Sequence, residues 1–429
     1  MKNNQPERRS CARAGNGMPT VLRAARPDRE TRAFLRWLKL GALTPIEKLP
    51  VRQTRTVWRL FALTLGRRPA VAAVVEHCID GPGGSIRLRI FTPPGPRQAR
   101  PAFLWCHGGG FMVGGLDSAE PICRSLAQAA GCVTVAVRYR LSPEHDLYAG
   151  RADFLAALDW VARHGGELGI DVTRLAIGGD SAGGNIAAAV AQAARQRGGP
   201  ALRLQVLAYP ATELIEDFPS KRENRDGFVI SDGLIEHIRQ VVLSTADPAD
   251  PRLSPRRHPD LRGLPPALLV SAGFDPIRDD GLDYAARLRA AGVPVELLHY
   301  AGQVHGFLNF DAVLGSGVDV LQRIGAALAA AFRGEVPPDR TLEIAEIADA
   351  VVPRRRLRAA GGEVANLLLI GWTSGSRWLG TALRLALPRG EVFVKLALQP
   401  WLLPADLLQR RATRRLVRIT ARQTWPPQE

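Results

Sequence analysis

Ser181 stands in Gly179-Asp180-Ser181-Ala182-Gly183, between the apolar run Leu175-Ala176-Ile177 and an alanine-rich stretch, 185–194. A serine on a strand-to-helix turn, with glycines two before and two after it, has the pattern of a nucleophile elbow. The glycines are needed because the backbone reverses sharply there, and a side chain at either place would collide with the adjoining strand and helix. Upstream, His107-Gly108-Gly109-Gly110-Phe111 ends a second apolar run, 102–106. Three consecutive glycines let main-chain N–H groups turn toward one spot and approach a bound molecule closely. That suits the oxyanion formed when a hydroxyl attacks a carbonyl. The N–H of Ala182, next to the serine, would complete such a hole. Each motif alone has a bland reading, a flexible turn in a chain with 42 glycines. Two of them in this order, each ending a strand-like run, point to nucleophilic chemistry at a carbonyl.

A serine hydroxyl is a poor nucleophile near neutral pH, so a base must take its proton and a carboxylate must hold that base in the right tautomer. Both kinds of residue lie downstream: Asp275 follows the apolar run 267–271, and His305 follows 295–300. Asp279 and Asp280 compete with Asp275 as the acid; His299 and His107 compete with His305 as the base. Asp275 comes soonest after its strand, whereas Asp279 and Asp280 suit a cap for a helix starting near Gly281. His299 falls inside a strand-like run and reads as a core or surface histidine. His107 is placed to hydrogen-bond locally and shape the glycine loop. Asp180 reads as a structural hydrogen-bond partner rather than a second acid, and Arg140 with Glu144 as a polar pair supporting the loops.

Taken together, these pieces resemble the hormone-sensitive-lipase group of α/β-hydrolases, the bacterial esterases and arylacetamide-deacetylase-like enzymes. The resemblance is carried by His107 to Phe111, Gly179 to Gly184, Tyr139-Arg140-Leu141-Ser142-Pro143-Glu144-His145, Leu264-Pro265-Pro266-Ala267, Asp275-Pro276-Ile277-Arg278-Asp279-Asp280-Gly281 and His305-Gly306-Phe307. It spans about residues 70 to 333. It implies Ser181 as nucleophile, Asp275 as orienting acid and His305 as general base. Two of Gly108, Gly109 and Gly110 would join Ala182 as oxyanion donors, with His107, Gly179, Asp180 and Gly183 supporting them. The activity implied is that of a serine carboxylesterase acting on short- to medium-chain esters through an acyl-enzyme, with no metal or organic cofactor. Two other functions share the scaffold. An acyltransferase would pass the acyl group to an alcohol or amine. A non-catalytic ligand receptor is the other, and the joint presence of Ser181, Asp275 and His305 argues against it.

Positioning these residues requires a particular series of elements. Strand-like segments at 74–79 and 85–91 flank Asp80-Gly81-Pro82-Gly83-Gly84, a hairpin signal. Buried-type runs follow at 102–106, 132–138, 174–178, 202–209, 266–271 and 294–300, with helical stretches such as 151–162 and 282–290 between them. The alternation predicts an α/β-hydrolase fold, a mostly parallel eight-stranded sheet with an antiparallel start and helices on both faces. Every candidate residue then falls just after the carboxyl end of a strand, where such sheets bind ligands. Two segments are expected to form a helical cap over the site. One is 31–70, helical from Arg32 to Leu65 with breaks near Pro45 and Pro50; the other is an insertion at about 211–255 with a helix from Asp232 to Leu243. A cap excludes water and favours small soluble esters over large triglycerides.

The catalytic domain so defined, 71–333 with its cap insertion, leaves two ends of the 429-residue chain. Residues 1–30 are expected to be a flexible arm, with Met18 as an alternative start, and 334–429 a basic C-terminal extension of unknown role. An apolar fraction of 46% argues for a folded protein rather than a disordered one. Cys11, Cys78, Cys106, Cys123 and Cys132 lack paired or metal-type spacing and read as free thiols in a reducing compartment. The basic N-terminus has no apolar core behind it, which makes the cytoplasm the default location.

The net charge of +16 suggests an anionic partner, but only 5 of the 57 basic residues are lysines. Such an arginine excess is what GC-rich coding produces, and no binding motif or aromatic platform accompanies it, so the balance argues against nucleic acid. Besides a small-molecule ester substrate, the partner it favours is an anionic membrane surface, contacted peripherally through the extension. There, Pro337-Pro338 reads as a boundary, followed by a helical stretch ending at Pro353 and then Arg354-Arg355-Arg356. The apolar piece near 364–372 is too short to cross a membrane. Residues 405–422 read as an amphipathic helix, with Leu408, Ala412, Leu416 and Ile419 on one face and Arg411, Arg415, Arg418 and Arg422 beside it. Such a helix can dock on the hydrolase body, on a partner subunit or on a membrane. Oligomeric state is not legible in the sequence.

Overall fold

Apolar runs without strict alternation are what a sheet needs when both its faces are covered, and here they build a single ten-stranded sheet. A computed structural model describes residues 17–41, 46–96, 98–225, 229–243, 246–346 and 419–425, with the single positions 371 and 375. The strands are β1 (Ala73–Gly81), β2 (Gly84–Thr92), β3 (Arg100–Cys106), β4 (Val133–Arg138), β5 (Ile170–Asp180), β6 (Leu202–Ala208), β7 (Ala267–Phe274), β8 (Val295–Val304), β9 (Arg340–Glu346) and β10 (Ile419–Trp425). Their spatial order is β1-β2-β4-β3-β5-β6-β7-β8-β9-β10. β1 and β2 form the expected hairpin and β2 pairs antiparallel with β4. From β4 through β3 to β9 every pairing is parallel.

The helices are α1 (Arg29–Gly41), α2 (Val51–Leu65), α3 (Leu116–Ala130), α4 (Leu147–His164), α5 (Ala182–Gln196), α6 (Pro219–Glu223), α7 (Asp232–Val242), α8 (Arg278–Ala290) and α9 (Gly315–Phe332). Successive side chains of a strand point to opposite faces, and β3 shows the division. Its Phe103 and Trp105 pack in a core with α1, α3 and α9, while Ala102, Leu104 and Cys106 pack in a second core with α4, α5 and α8. Both proposed cap segments are helical: α1 and α2 enclose a 3₁₀ turn at Ile46–Lys48, and the insertion supplies α6 and α7. The hydroxyl of Ser231 caps α7 by accepting from Leu234 N–H at 3.1 Å, and it reaches Glu47 Oε1 of the other cap segment at 3.3 Å.

The eight strands expected from the sequence are β1 to β8, and two more extend the sheet beyond β8. Residues 340–346, expected to be helical, are β9, and 419–422, expected to end an amphipathic helix, belong to β10. The reason is the edge of β8, whose unpaired N–H and C=O groups are a template for further strands. β9 pairs parallel with it and β10 antiparallel with β9. Ile419, Thr420, Thr424 and Trp425 are the residue types that suit a strand. Residues 405–418, Arg354-Arg355-Arg356 and most of 364–372 lie outside the described residues. No helix among the described residues is long and apolar enough to cross a membrane.

Residues 17–28, expected to be part of a flexible arm, are instead docked along β8 and β9; residues 1–16 lie outside the described set. Ala24 and Asp28 donate their N–H groups to the carbonyls of Ala301 and Gly302, each at 3.0 Å, and Thr20 Oγ1 donates to Glu343 Oε1 at 2.7 Å. His299, fully buried on β8, completes the attachment: its Nε2 lies 3.0 Å from the carbonyls of both Val21 and Leu22. Those carbonyls only accept, so Nε2 carries the proton and Nδ1 accepts from Ser271 Oγ at 2.7 Å. Burial, with Arg278 nearby, pushes this imidazole down to about 4. An unfolded histidine titrates near 6.5, so the stability tied to the neutral ring is complete above that value and is lost as pH falls toward 4. His299→Gln should therefore flatten the pH dependence of urea unfolding, losing roughly 2 kcal/mol less than wild type between about pH 7 and pH 5. Equal losses in the two proteins would contradict this account.

Candidate active site

The elbow follows from the junction of β5 with α5. Ser181 sits between them at φ 56°, in the left-handed region that non-glycine residues rarely adopt. Its N–H donates to Ala208 O at 2.9 Å and its carbonyl accepts from Ala211 N–H at 3.2 Å, which holds the turn against the end of β6. A Cβ on Gly179 would overlap the carbonyls of Gly183 and Cys106, and one on Gly183 would overlap those of Cys106 and His107. The end of β3 therefore presses on the elbow, and only glycine fits at either position.

Asp275 and His305 arrive from the ends of β7 and β8. His305 Nδ1 lies 2.8 Å from Asp275 Oδ2, and its Nε2 lies 2.9 Å from Ser181 Oγ. Asp275 is fully buried, and its Oδ1 accepts from Ile277 N–H at 2.9 Å. A carboxylate facing Nδ1 places the ring proton there, leaving Nε2 free to accept from the serine hydroxyl. The Tyr209 ring lies 4.7 Å from the imidazole, centroid to centroid, and closes one side of it.

The competing acids and bases are elsewhere. Asp279 and Asp280 lie in the first turn of α8, which begins at Arg278, and neither caps it; the Ser220 hydroxyl accepts from Asp279 N–H at 3.2 Å. Asp279 pairs with Arg278 Nε at 2.7 Å and accepts from Ser220 N–H at 2.9 Å. Asp280 is buried with neither carboxyl oxygen in a hydrogen bond, and burial pushes its titration well up from the usual carboxylate range. His107 lies in the glycine loop with Nδ1 2.9 Å from Gly108 O and its ring stacked on Tyr139 at 4.4 Å. Burial pushes it down to about 4 and keeps it uncharged.

Asp180 bridges the elbow and the glycine loop. One of its oxygens accepts from Gly108 N–H at 2.8 Å and the other from Asn309 Nδ2 at 3.0 Å. This narrows the oxyanion candidates: the Gly108 N–H is engaged, which removes Gly108 from the expected donor set. The N–H groups of Gly109, Gly110 and Ala182 have no protein partner among the described residues. Arg140 and Glu144 are not partners. Arg140 forks onto Asp153 of α4, with Nη2 to Oδ1 at 2.8 Å, and Glu144 binds Arg55 of α2 at 2.7 Å. A buried carboxylate on α4 takes the one charge and a guanidinium on α2 the other. Asn309, Tyr209 and Asn224 also belong to the site; Asn224 Nδ2 donates to the Asp275 carbonyl at 3.0 Å. No spacing rule marks them, because each is recruited through the fold.

Ser181 and His305 open on a pocket of about 660 Å³, its mouth included. Gly109 and Gly110 form part of its wall, and the rest is mainly apolar: Met112 and Val113 from the glycine loop, Trp58 from α2, and Val229, Ile230, Leu234 and Ile238 from the insertion. Ile238 lies against Gly110, where a Cβ would come within 2.6 Å of its Cδ1. Among the described residues no cluster of three or more metal-ligating side chains occurs.

This arrangement agrees with comparisons to known proteins. A family model described as alpha/beta hydrolase fold matches residues 103–309. The chain is 42% identical to Esterase LipI of Mycobacterium tuberculosis over 265 residues, covering 61% of this chain and 83% of the relative. It is 34% identical to an arylesterase of Saccharolobus solfataricus, covering 71% of this chain and 99% of that protein. Among solved structures, the hyperthermophilic esterase of the archaeon Pyrobaculum calidifontis superposes with a TM-score of 0.66 at 35% identity, covering 70% of this chain and 96% of its own. With relatives this similar covered over most of their length, the chain belongs to the hormone-sensitive-lipase-like family of α/β-hydrolases.

Proposed function

We propose that this chain is a serine carboxylesterase that hydrolyses short- to medium-chain esters by two-step acyl transfer. The observation that carries the reading is the unbroken relay from Asp275 through His305 to Ser181, at 2.8 and 2.9 Å, facing an apolar pocket. His305 takes the proton of Ser181 as Oγ attacks the ester carbonyl, and Asp275 stabilises the imidazolium that forms. The N–H groups of Gly109, Gly110 and Ala182 hold the tetrahedral oxyanion, where loss of one donor costs on the order of 3 kcal/mol. His305 then protonates the departing alcohol, and water repeats the sequence on the acyl-enzyme. The activity in the names of the similar proteins, ester hydrolysis, supports this reading.

The chain-length range rests on the cap. Trp58 of α2 and Leu234 and Ile238 of α7 limit how far an acyl chain can extend from Ser181. Across p-nitrophenyl esters from acetate to palmitate, kcat/KM should peak at short or medium chains. Ile238→Ala should move the peak to longer chains and raise kcat/KM there by roughly tenfold, the effect of about a methylene or two of added room. A profile that Ile238→Ala leaves unchanged would take α7 out of the acyl pocket. Cytoplasmic location and peripheral membrane contact are proposed on sequence alone, from the free-thiol cysteines and the arginine-rich segment near the C-terminus.

A further inference from the structure

We propose that a second cavity, between α2, the start of α3 and the β2–β4 pair, is a binding site for a phosphate-type oxyanion. The cavity measures about 890 Å³ with its mouth and is lined by Arg55, Arg59, Arg87, Arg89 and Arg138 together with residues 114–118. Three of the five arginines are already neutralised. Arg55 binds Glu144 at 2.7 Å, Arg59 binds Asp117 at 2.6 Å, and Arg89 is shared among Glu76, Asp117 and Glu120 at 2.6 to 3.0 Å.

The other two are not. Arg87 and Arg138 are exposed, make no ion pair among the described residues, and are direct cross-strand partners in the antiparallel β2–β4 ladder. Like charges directly opposite each other destabilise a sheet. An acid at either position would have removed that cost. The N-terminal end of α3 adds to the positive field, since the N–H groups of Leu116 and Asp117 donate to no described group. Two unpaired guanidinium groups call for a dianion, and their planar forks match the oxygens of a phosphate. A single carboxylate would leave one cation uncompensated.

The cavity is distinct from the acyl pocket but shares two walls with it. Thr54 and Trp58 of α2 face the acyl pocket while Arg55 and Arg59 line this cavity, and the glycine loop contributes Gly109, Gly110, Met112 and Val113 on one side and Gly114 and Gly115 on the other. A phosphate held here would tie the cap helix to the body of the fold at a place where it touches no reacting atom.

The test compares the full chain with an Arg87→Gln/Arg138→Gln double variant, using inorganic phosphate titrated against chloride at constant ionic strength. Vesicles of phosphatidylcholine with and without phosphatidic acid provide the second probe. Phosphate, and not chloride, should raise the thermal midpoint of the wild type. The double variant, relieved of opposed charges, should be at least as stable as wild type without phosphate and should bind phosphate roughly tenfold or more weakly by calorimetry. Sedimentation with phosphatidate vesicles that depends on the two arginines would assign the phosphate to a lipid headgroup; a response to inorganic phosphate alone would assign it to a free phosphate group. The proposal is overturned if neither probe distinguishes the wild type from the double variant.

Discussion

Ser181→Ala should lower kcat for p-nitrophenyl esters by on the order of 10⁶-fold while leaving the thermal midpoint essentially unchanged. The size of the loss follows from what the serine does in the proposed mechanism. It supplies the only attacking atom, and its Oγ is the group that His305 Nε2 addresses at 2.9 Å. The fold should be spared because the strained turn is held by backbone bonds to Ala208 and Ala211, which alanine keeps at the same φ. The oxyanion donors also remain, so some acceleration over water persists. Turnover within roughly tenfold of wild type, in protein with a normal midpoint, would place the nucleophile elsewhere.

The second large effect belongs to Asp275→Asn, for which a loss in kcat of about 10⁴-fold with little change in KM is expected. Asparagine can keep the bond from Ile277 N–H through its carbonyl oxygen, which turns its NH₂ toward His305 Nδ1. An NH₂ facing Nδ1 forces that nitrogen to accept and moves the ring proton to Nε2. The nitrogen facing Ser181 can then no longer take a proton. Kinetics and the nitrogen chemical shifts of His305 read the two halves of this account separately. A loss smaller than about tenfold would mean that Asp275 does not set the tautomer, and an unchanged tautomer would mean that the loss has another cause.

Much of the site was legible because its constraints are local. Gly179 and Gly183 are marked by the sharp reversal around Ser181, and overlap with neighbouring carbonyls is the physical form of that constraint. Asp275 and His305 each follow a buried run, and a parallel sheet presents all such strand ends along one edge. Other features depend on distant partners. Gly108 is removed from the donor set because Asp180, 72 residues away, takes its N–H. Arg140 and Glu144 look like a pair four residues apart, yet each found a stronger partner on another element.

The extension shows the same division at the scale of whole strands. Residues 340–346 and 419–422 carry patterns weak enough to read as helix, and the open edge of β8 decided between the alternatives by offering a row of unsatisfied hydrogen-bonding groups. The arm at 17–28 has little pattern of its own, and two buried polar groups that bond to it, His299 Nε2 and the Glu343 carboxylate, hold it down. By itself, the sequence determined the order of the strands along the chain, the elbow, the glycine loop and the residues proposed for acyl transfer, because backbone reversal and hydrophobic periodicity act over a few neighbouring positions. Only the tertiary structure decided which N–H groups remain open, which charges pair and how far the sheet extends, because those outcomes depend on which groups arrive within about 3 Å after folding and how completely they lose water.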